Sequence, residues 1–111
     1  MDAVRKKLVF YRDPEGHEPF VQWLESIVDI TVRYRVIARL NRVEVGNFGD
    51  HASVGGGVFE LRLQFGPGYR IYYGEDGNQI VILLCGGSKK GQNKDIRKAK
   101  IYWRDYAEKE K

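Results

Sequence analysis

The chain has 111 residues, 19 Lys and Arg against 15 Asp and Glu, and a formal charge of +4. That length predicts one domain over residues 1–111, with a 42% hydrophobic share sufficient for a core and a 31% charged share short of disorder-type composition. A single cysteine, Cys85, excludes an internal disulfide and a zinc site built on cysteine pairs, and no apolar run approaches the ~20 residues of a membrane span.

Residues 1–12 carry Arg5, Lys6 and Lys7 but no signal-peptide apolar core, so the expectation is a soluble cytoplasmic protein. Lys7–Tyr11 reads as a first strand, ended by the turn chemistry of Asp13-Pro14-Glu15-Gly16. Pro19 suits the first turn of a helix, and Phe20, Trp23, Leu24 and Ile27 then fall on one apolar face. A second helix is predicted from about Ile30 to Val45, with Asp29 or Thr31 as its cap and Gly46 as its stop. Val32, Val36, Leu40 and Val43 share its buried face. Arg35, Arg39 and Arg42 form a stripe about a quarter-turn away, read either as a solvated flank or as a phosphate-contacting edge or partner groove.

Residues 46–57 are glycine-rich and are expected to form a loop, although not a Walker phosphate loop, because no Gly-Lys-Ser/Thr follows. Period-2 alternation on both sides of Gly66-Pro67-Gly68 predicts a β-hairpin. Gly74–Asn78 is a further turn, and Ile80–Cys85, apolar on both faces, reads as an interior strand. After the Gly86–Gly91 loop, Asp95 opens a last helix with Ile96, Ala99, Trp103 and Tyr106 on one side. The expected fold is α+β, in the order β-α-α-β-β-β-α. The sheet is mostly antiparallel, the two early helices cover one face, and the other face is at least partly free.

The positive excess is local. Residues 88–111 hold nine basic and four acidic side chains, whereas the rest of the chain is nearly neutral. Such a bias suits a polyanion, although a charge run is more often a solvated face.

A three-residue turn at Gly66–Gly68 sets Gln64 opposite Arg70 and Arg62 opposite Tyr72. Leu61, Leu63, Phe65, Tyr69, Ile71 and Tyr73 then face the helices, and Arg62, Gln64, Arg70 and Tyr72 face the open side. Two guanidiniums and a phenol on an open sheet face fit a phosphodiester, although Glu60 could simply pair with one of the arginines. His17 reads as a residue of the first helix entrance. His51, just before the Arg62 strand, is expected to reach the arginine face. Lys89 and Lys90 are candidate phosphate or proton-handling groups, and Cys85 reads as core. The two histidines are far apart and no acidic cluster occurs, so neither a metal site nor a cofactor is expected.

Val58-Phe59-Glu60-Leu61-Arg62, Phe65-Gly66-Pro67-Gly68-Tyr69-Arg70-Ile71-Tyr72-Tyr73, Leu83-Leu84-Cys85-Gly86-Gly87-Ser88-Lys89, then Gln92, Asp95-Ile96, Ala99 and Tyr102-Trp103, resemble the "addiction module killer" proteins. These are HigB-like toxins of the RelE/ParE superfamily, from type II toxin–antitoxin modules. The likeness extends to Asp13-Pro14, Phe20, Trp23-Leu24 and Gly46-Asn47-Phe48-Gly49-Asp50. It implies a RelE-like, microbial-ribonuclease-like fold. It also implies a ribosome-dependent, metal-free mRNA endoribonuclease, held inactive in a hetero-oligomer with an antitoxin, often a helix-turn-helix protein. The family's sheet arginines correspond to Arg62 and Arg70, for stabilising charge on the reacting phosphate. His51, Lys89, Lys90 and Tyr72 are the candidates for proton transfer, and Lys89, Lys90, Lys94, Arg97 and Lys98 for RNA or ribosome binding. Ala52 stands where the family often has lysine, and Ser88 where it often has aspartate. The ParE branch poisons DNA gyrase instead, and a degenerate toxin that only binds its antitoxin or nucleic acid is a further alternative.

Overall fold

A computed structural model describes residues 4–110; residues 1–3 and 111 of the expected domain lie outside the described residues. The elements run β1 (Lys7–Phe10), α1 (Pro19–Ser26), α2 (Ile30–Glu44), β2 (His51–Gly55), β3 (Val58–Arg62), β4 (Tyr69–Asp76), β5 (Ile80–Ser88) and α3 (Gln92–Lys109), with a short 3₁₀ turn at Lys89–Gly91. The strands form one mixed sheet in the order β1-β5-β4-β3-β2, in which β1 runs parallel to β5 and the other pairs are antiparallel. The fold class is therefore α+β, and β5 has the interior position that its two apolar faces predict.

Local signals account for most of these boundaries. Pro19 occupies the first turn of α1, where its missing N–H costs nothing. Asp29 caps α2 by accepting a hydrogen bond from the Thr31 N–H. Val36, Leu40 and Val43 then bury one face of α2 beside Phe20 and Ile27, against Leu61, Leu63, Ile71, Tyr73 and Leu83 of the sheet and its hairpin.

Three expectations are corrected. The segment expected as a loop over 46–57 contains β2, an edge strand whose residues alternate in exposure. Glycine masks that alternation in the sequence. Gly55, Gly56 and Gly57 all have positive φ and make the tight return into β3. The hairpin connection is also longer than three residues. Leu63 N–H donates to Tyr69 O at 3.0 Å, so Arg62 lies opposite Arg70, and Tyr72 opposite Glu60. The register moves by two residues, an even number, and every paired side chain keeps its face, whereas Gln64, expected on the open face, falls in the connection and donates to Asp50.

Thirdly, the face away from α1 and α2 is largely covered. The apolar strip of α3, Ile96, Ala99, Trp103 and Tyr106, packs with Tyr11, Val58, Tyr72, Ile82, Leu84 and Cys85 into a second core. Tyr72 is fully buried there rather than standing on an open face. Three glycines admit the two tryptophans that lock the layers: Gly86 lies under Trp23 of α1, and Gly57 and Gly74 lie under Trp103 of α3. The two cores sit on opposite sides of the same strands, with Tyr73 in one and Tyr72 in the other.

The far end of α3 is tied to the residue that follows β1 by the Tyr11 hydroxyl, which donates to Asp105 at 2.6 Å. That bond, then a second from Lys109, holds the Asp105 carboxyl below the usual carboxylate range. A depressed carboxylate contributes stability that is present above its unfolded pKa and lost as pH falls through its folded pKa. Tyr11→Phe is therefore expected to lose less stability than wild type on acidification from the ordinary carboxylate range downward. Urea midpoints across that range check this, and parallel curves would rule it out.

Candidate functional site

Strand parity gathers the candidate groups at one end of the sheet. Glu60 and Arg62 are two residues apart on β3, so they share a face, and the register brings Arg70 of β4 directly opposite Arg62. Like charges directly opposed across strands repel. Glu60, 1% exposed, offsets this repulsion: its Oε2 accepts from Arg62 Nε at 3.0 Å and lies 3.5 Å from Arg70 Nε. Its Oε1 accepts from Gln92 Nε2 at 3.0 Å, which ties the start of α3 to the cluster. Arg62 also bridges to Asp50 at 3.3 Å, and Arg70 Nη1 donates to the carbonyls of Gly68 and Tyr69. The Glu60 hydrogen bond, followed by its charge, holds the Arg62 guanidinium above its usual value.

Among the described residues, no protein acceptor engages the Nη2 group of either arginine. The Arg62 side chain is 39% exposed and that of Arg70 13%. Two guanidiniums aligned by one buried carboxylate, with donors to spare, have the chemistry of a candidate anion site. Glu60 has both oxygens occupied and acts as the positioning residue. From sequence, Glu60 is expected only as a partner for one arginine; the Glu-Leu-Arg spacing, which puts it on the Arg62 face, is the signal for its larger part.

The other predicted residues separate. Lys89 joins the cluster's rim, because a Cβ on Gly68 would meet Lys89 Cβ at 3.2 Å and Arg70 Nη1 at 3.6 Å. Lys89, Lys90, Lys94, Arg97 and Lys98 are all exposed. His51 does not share the arginine face. It pairs with Leu61, which points to the α2 side, and its ring packs 5.6 Å from Phe48 while Nδ1 contacts Gly49 O at 2.8 Å. Ala52, opposite Glu60, lies on the arginine face of β2. Tyr72 shares that face under α3, and burial, followed by the Glu60 charge, pushes its phenol up. Burial likewise pushes the Cys85 thiol up to about 12, in keeping with a core residue. Asp95 packs over Gly87, the partner of Arg70 in the next strand, and burial raises its carboxyl. Among the described residues, no group of three His, Cys, Asp or Glu side chains converges as a metal-ligand set, and no helix is long and apolar enough to cross a membrane.

The family model described as "Phage derived protein Gp49-like (DUF891)" matches residues 22–105. The chain belongs to the Gp49-like family. This is a toxin–antitoxin-related family, and the matched span contains every member of the arginine cluster together with Lys89, Lys90, Lys94, Arg97 and Lys98. A Haemophilus influenzae protein described as "Uncharacterized protein" is 45% identical over 82 residues, covering 74% of this chain and 83% of the relative. The Gp49-like match begins within α1, so it takes in both early helices in whole or part, β2 to β5 and most of α3.

Proposed function

We propose that this Gp49-like protein is the toxin of a toxin–antitoxin pair and cleaves translated mRNA on the ribosome, as a HigB-like member of the RelE superfamily. The observation that carries this reading is the alignment of Arg62 and Arg70 by Glu60. In the reaction, an RNA 2′-hydroxyl attacks the adjacent phosphorus. The 2′-O–P bond forms and the P–5′-O bond breaks, leaving a 2′,3′-cyclic phosphate and a 5′-hydroxyl. The two guanidiniums bind the non-bridging oxygens and stabilise the charge that builds on them. The 2′-proton goes to a base, and the 5′-oxygen takes one from an acid. Lys89, beside Arg70, is the proton-handling group this reading favours. The exposed cations of the 3₁₀ turn and α3 serve to dock ribosomal RNA. A helix-turn-helix antitoxin in a cytoplasmic hetero-oligomer completes the proposal.

Arg62→Ala is expected to lower the cleavage rate by ~10²–10³, the usual cost of one oxyanion donor, while the protein stays folded. The assay is primer extension on ribosome-bound mRNA, with circular dichroism as the control. Wild-type rates in the variant would remove Arg62 from the site. Growth arrest with intact transcripts and collapsing supercoiling would instead favour a gyrase poison. A second reading, a toxin that binds its antitoxin without cutting, is favoured by Ala52, which puts a methyl opposite Glu60 where the resemblance expects lysine. Arrest without any cleaved message would select it.

A further inference from the structure

From sequence, the arginine stripe of α2 reads as a solvated flank or as a phosphate-contacting edge or partner groove. It lines a cleft of about 640 Å³ between α2, the Gly49-Asp50 segment and residues 62–65. Arg35, Arg39, Arg42 and Arg62 all reach this cleft, and Asp50 is its one carboxylate. Asp50 already bridges Arg62 and accepts from Gln64. Among the described residues, none of Arg35, Arg39 and Arg42 forms an ion pair.

Arg39 is the most telling of these residues. It is 6% exposed, its Nη2 donates to the carbonyls of Phe48 and Asp50, and its buried Nη1 has no partner. Gly49, at φ +59°, makes room for it: a Cβ there would lie 2.9 Å from Nη2. Burial and the Arg42 charge pull the Arg39 guanidinium below its usual value. A buried cation with a free donor and cationic neighbours is stabilised by an anion brought to it. Arg35 stacks 3.8 Å over the Phe65 ring, which fixes a second guanidinium at the cleft wall.

We propose that this cleft is a second phosphate site, which takes the backbone phosphate of single-stranded RNA next to the one held by Arg62 and Arg70. Arg62 is common to both sites and sets the strand's direction across the end of the sheet. The assignment to RNA rests on the nuclease reading above; the anion site itself rests on Arg39 and its neighbours alone.

The test uses the full chain and a fluorescent single-stranded oligonucleotide with 2′-O-methyl riboses, which cannot be cut. The exposed pair Arg35→Gln/Arg42→Gln is expected to weaken binding about tenfold. It is also expected to flatten the slope of log affinity against log salt by roughly 0.7, the share of one phosphate contact on a single strand. Titration of inorganic phosphate into labelled protein is expected to shift the Gly49 and Asp50 amides and the Arg39 Nε signal. An unchanged affinity and slope in the double variant overturns the proposal, as does a phosphate titration that leaves those signals still. Preferential displacement of phosphate by a poly-glutamate peptide rather than by the oligonucleotide assigns the cleft to an acidic protein segment and overturns the RNA assignment. Failure of the nuclease reading registers separately, as uncut message with the wild-type protein, and leaves the phosphate titration intact.

Discussion

Glu60→Ala is expected to be among the most damaging single changes in this protein, costing about 3–5 kcal/mol, because it strips the shared counter-charge from two arginines that face each other across neighbouring strands. Arg70 bears most of the loss, since its side chain is 13% exposed and has little water to turn to. Gln92 also loses its acceptor, so the start of α3 loosens with the arginines. Urea unfolding measures the cost. Arg70→Ala alone leaves Glu60 with the better-exposed Arg62 and also destabilises. The pair Glu60→Ala/Arg70→Ala is expected to cost clearly less than the sum, because removing both partners leaves less buried charge unpaired. Strict additivity would mean that Glu60 does not organise Arg70. This coupling also shows why Arg62, not Arg70, is the clean functional probe: replacing Arg70 mixes a folding loss into any activity loss.

The second large effect is steric. A Cβ on Gly86 would lie 2.3 Å from ring atoms of Trp23, and one on Gly74 would lie 2.3 Å from Trp103. Neither glycine has positive φ, so alanine there meets no backbone penalty and the whole cost is collision in a packed interior. Gly86→Ala and Gly74→Ala are each expected to destabilise by about 3 kcal/mol, the upper end for overpacking, with a changed tryptophan near-ultraviolet signal. Gly77 is the contrast. It has φ +69° and nothing within 4 Å of an added Cβ, so Gly77→Ala should cost only the ~1–2 kcal/mol of a left-handed backbone. Equal midpoint shifts at all three positions would contradict this packing account.

Residues that act through local chemistry were readable in the chain. The Asp29 cap, Pro19, the valine-leucine face of α2 and the two-faced apolar run of β5 each announce their element. What failed was information carried by distant partners. The edge strand β2 contains too few large side chains to show its alternation, and only pairing with β3 reveals it. Hairpin register depends on where the turn closes, and Leu63 closes it two residues earlier than the Gly-Pro-Gly tripeptide suggests. The apolar strip of α3, Ile96, Ala99 and Trp103, is legible in the chain, but the sheet face on which it docks, burying Tyr72, is set only by the tertiary fold. Arg62 and Arg70 were legible because parity survives an even slip. The misplacement of His51 has the same origin: as the neighbour of Ala52, which pairs with Glu60, it must point the other way.

The sheet divides the interior in two while belonging to both halves. Successive residues of β4 and β5 alternate between them: Ile71 and Tyr73 on the α2 side and Tyr72 on the α3 side, then Val81 and Leu83 against Ile82 and Leu84. Neither half can open without taking from the other the strands that form its floor. Local opening is thereby expected only at the periphery, and the shared strands are expected to exchange their amide hydrogens only with global unfolding, the behaviour of a single cooperative unit despite two cores.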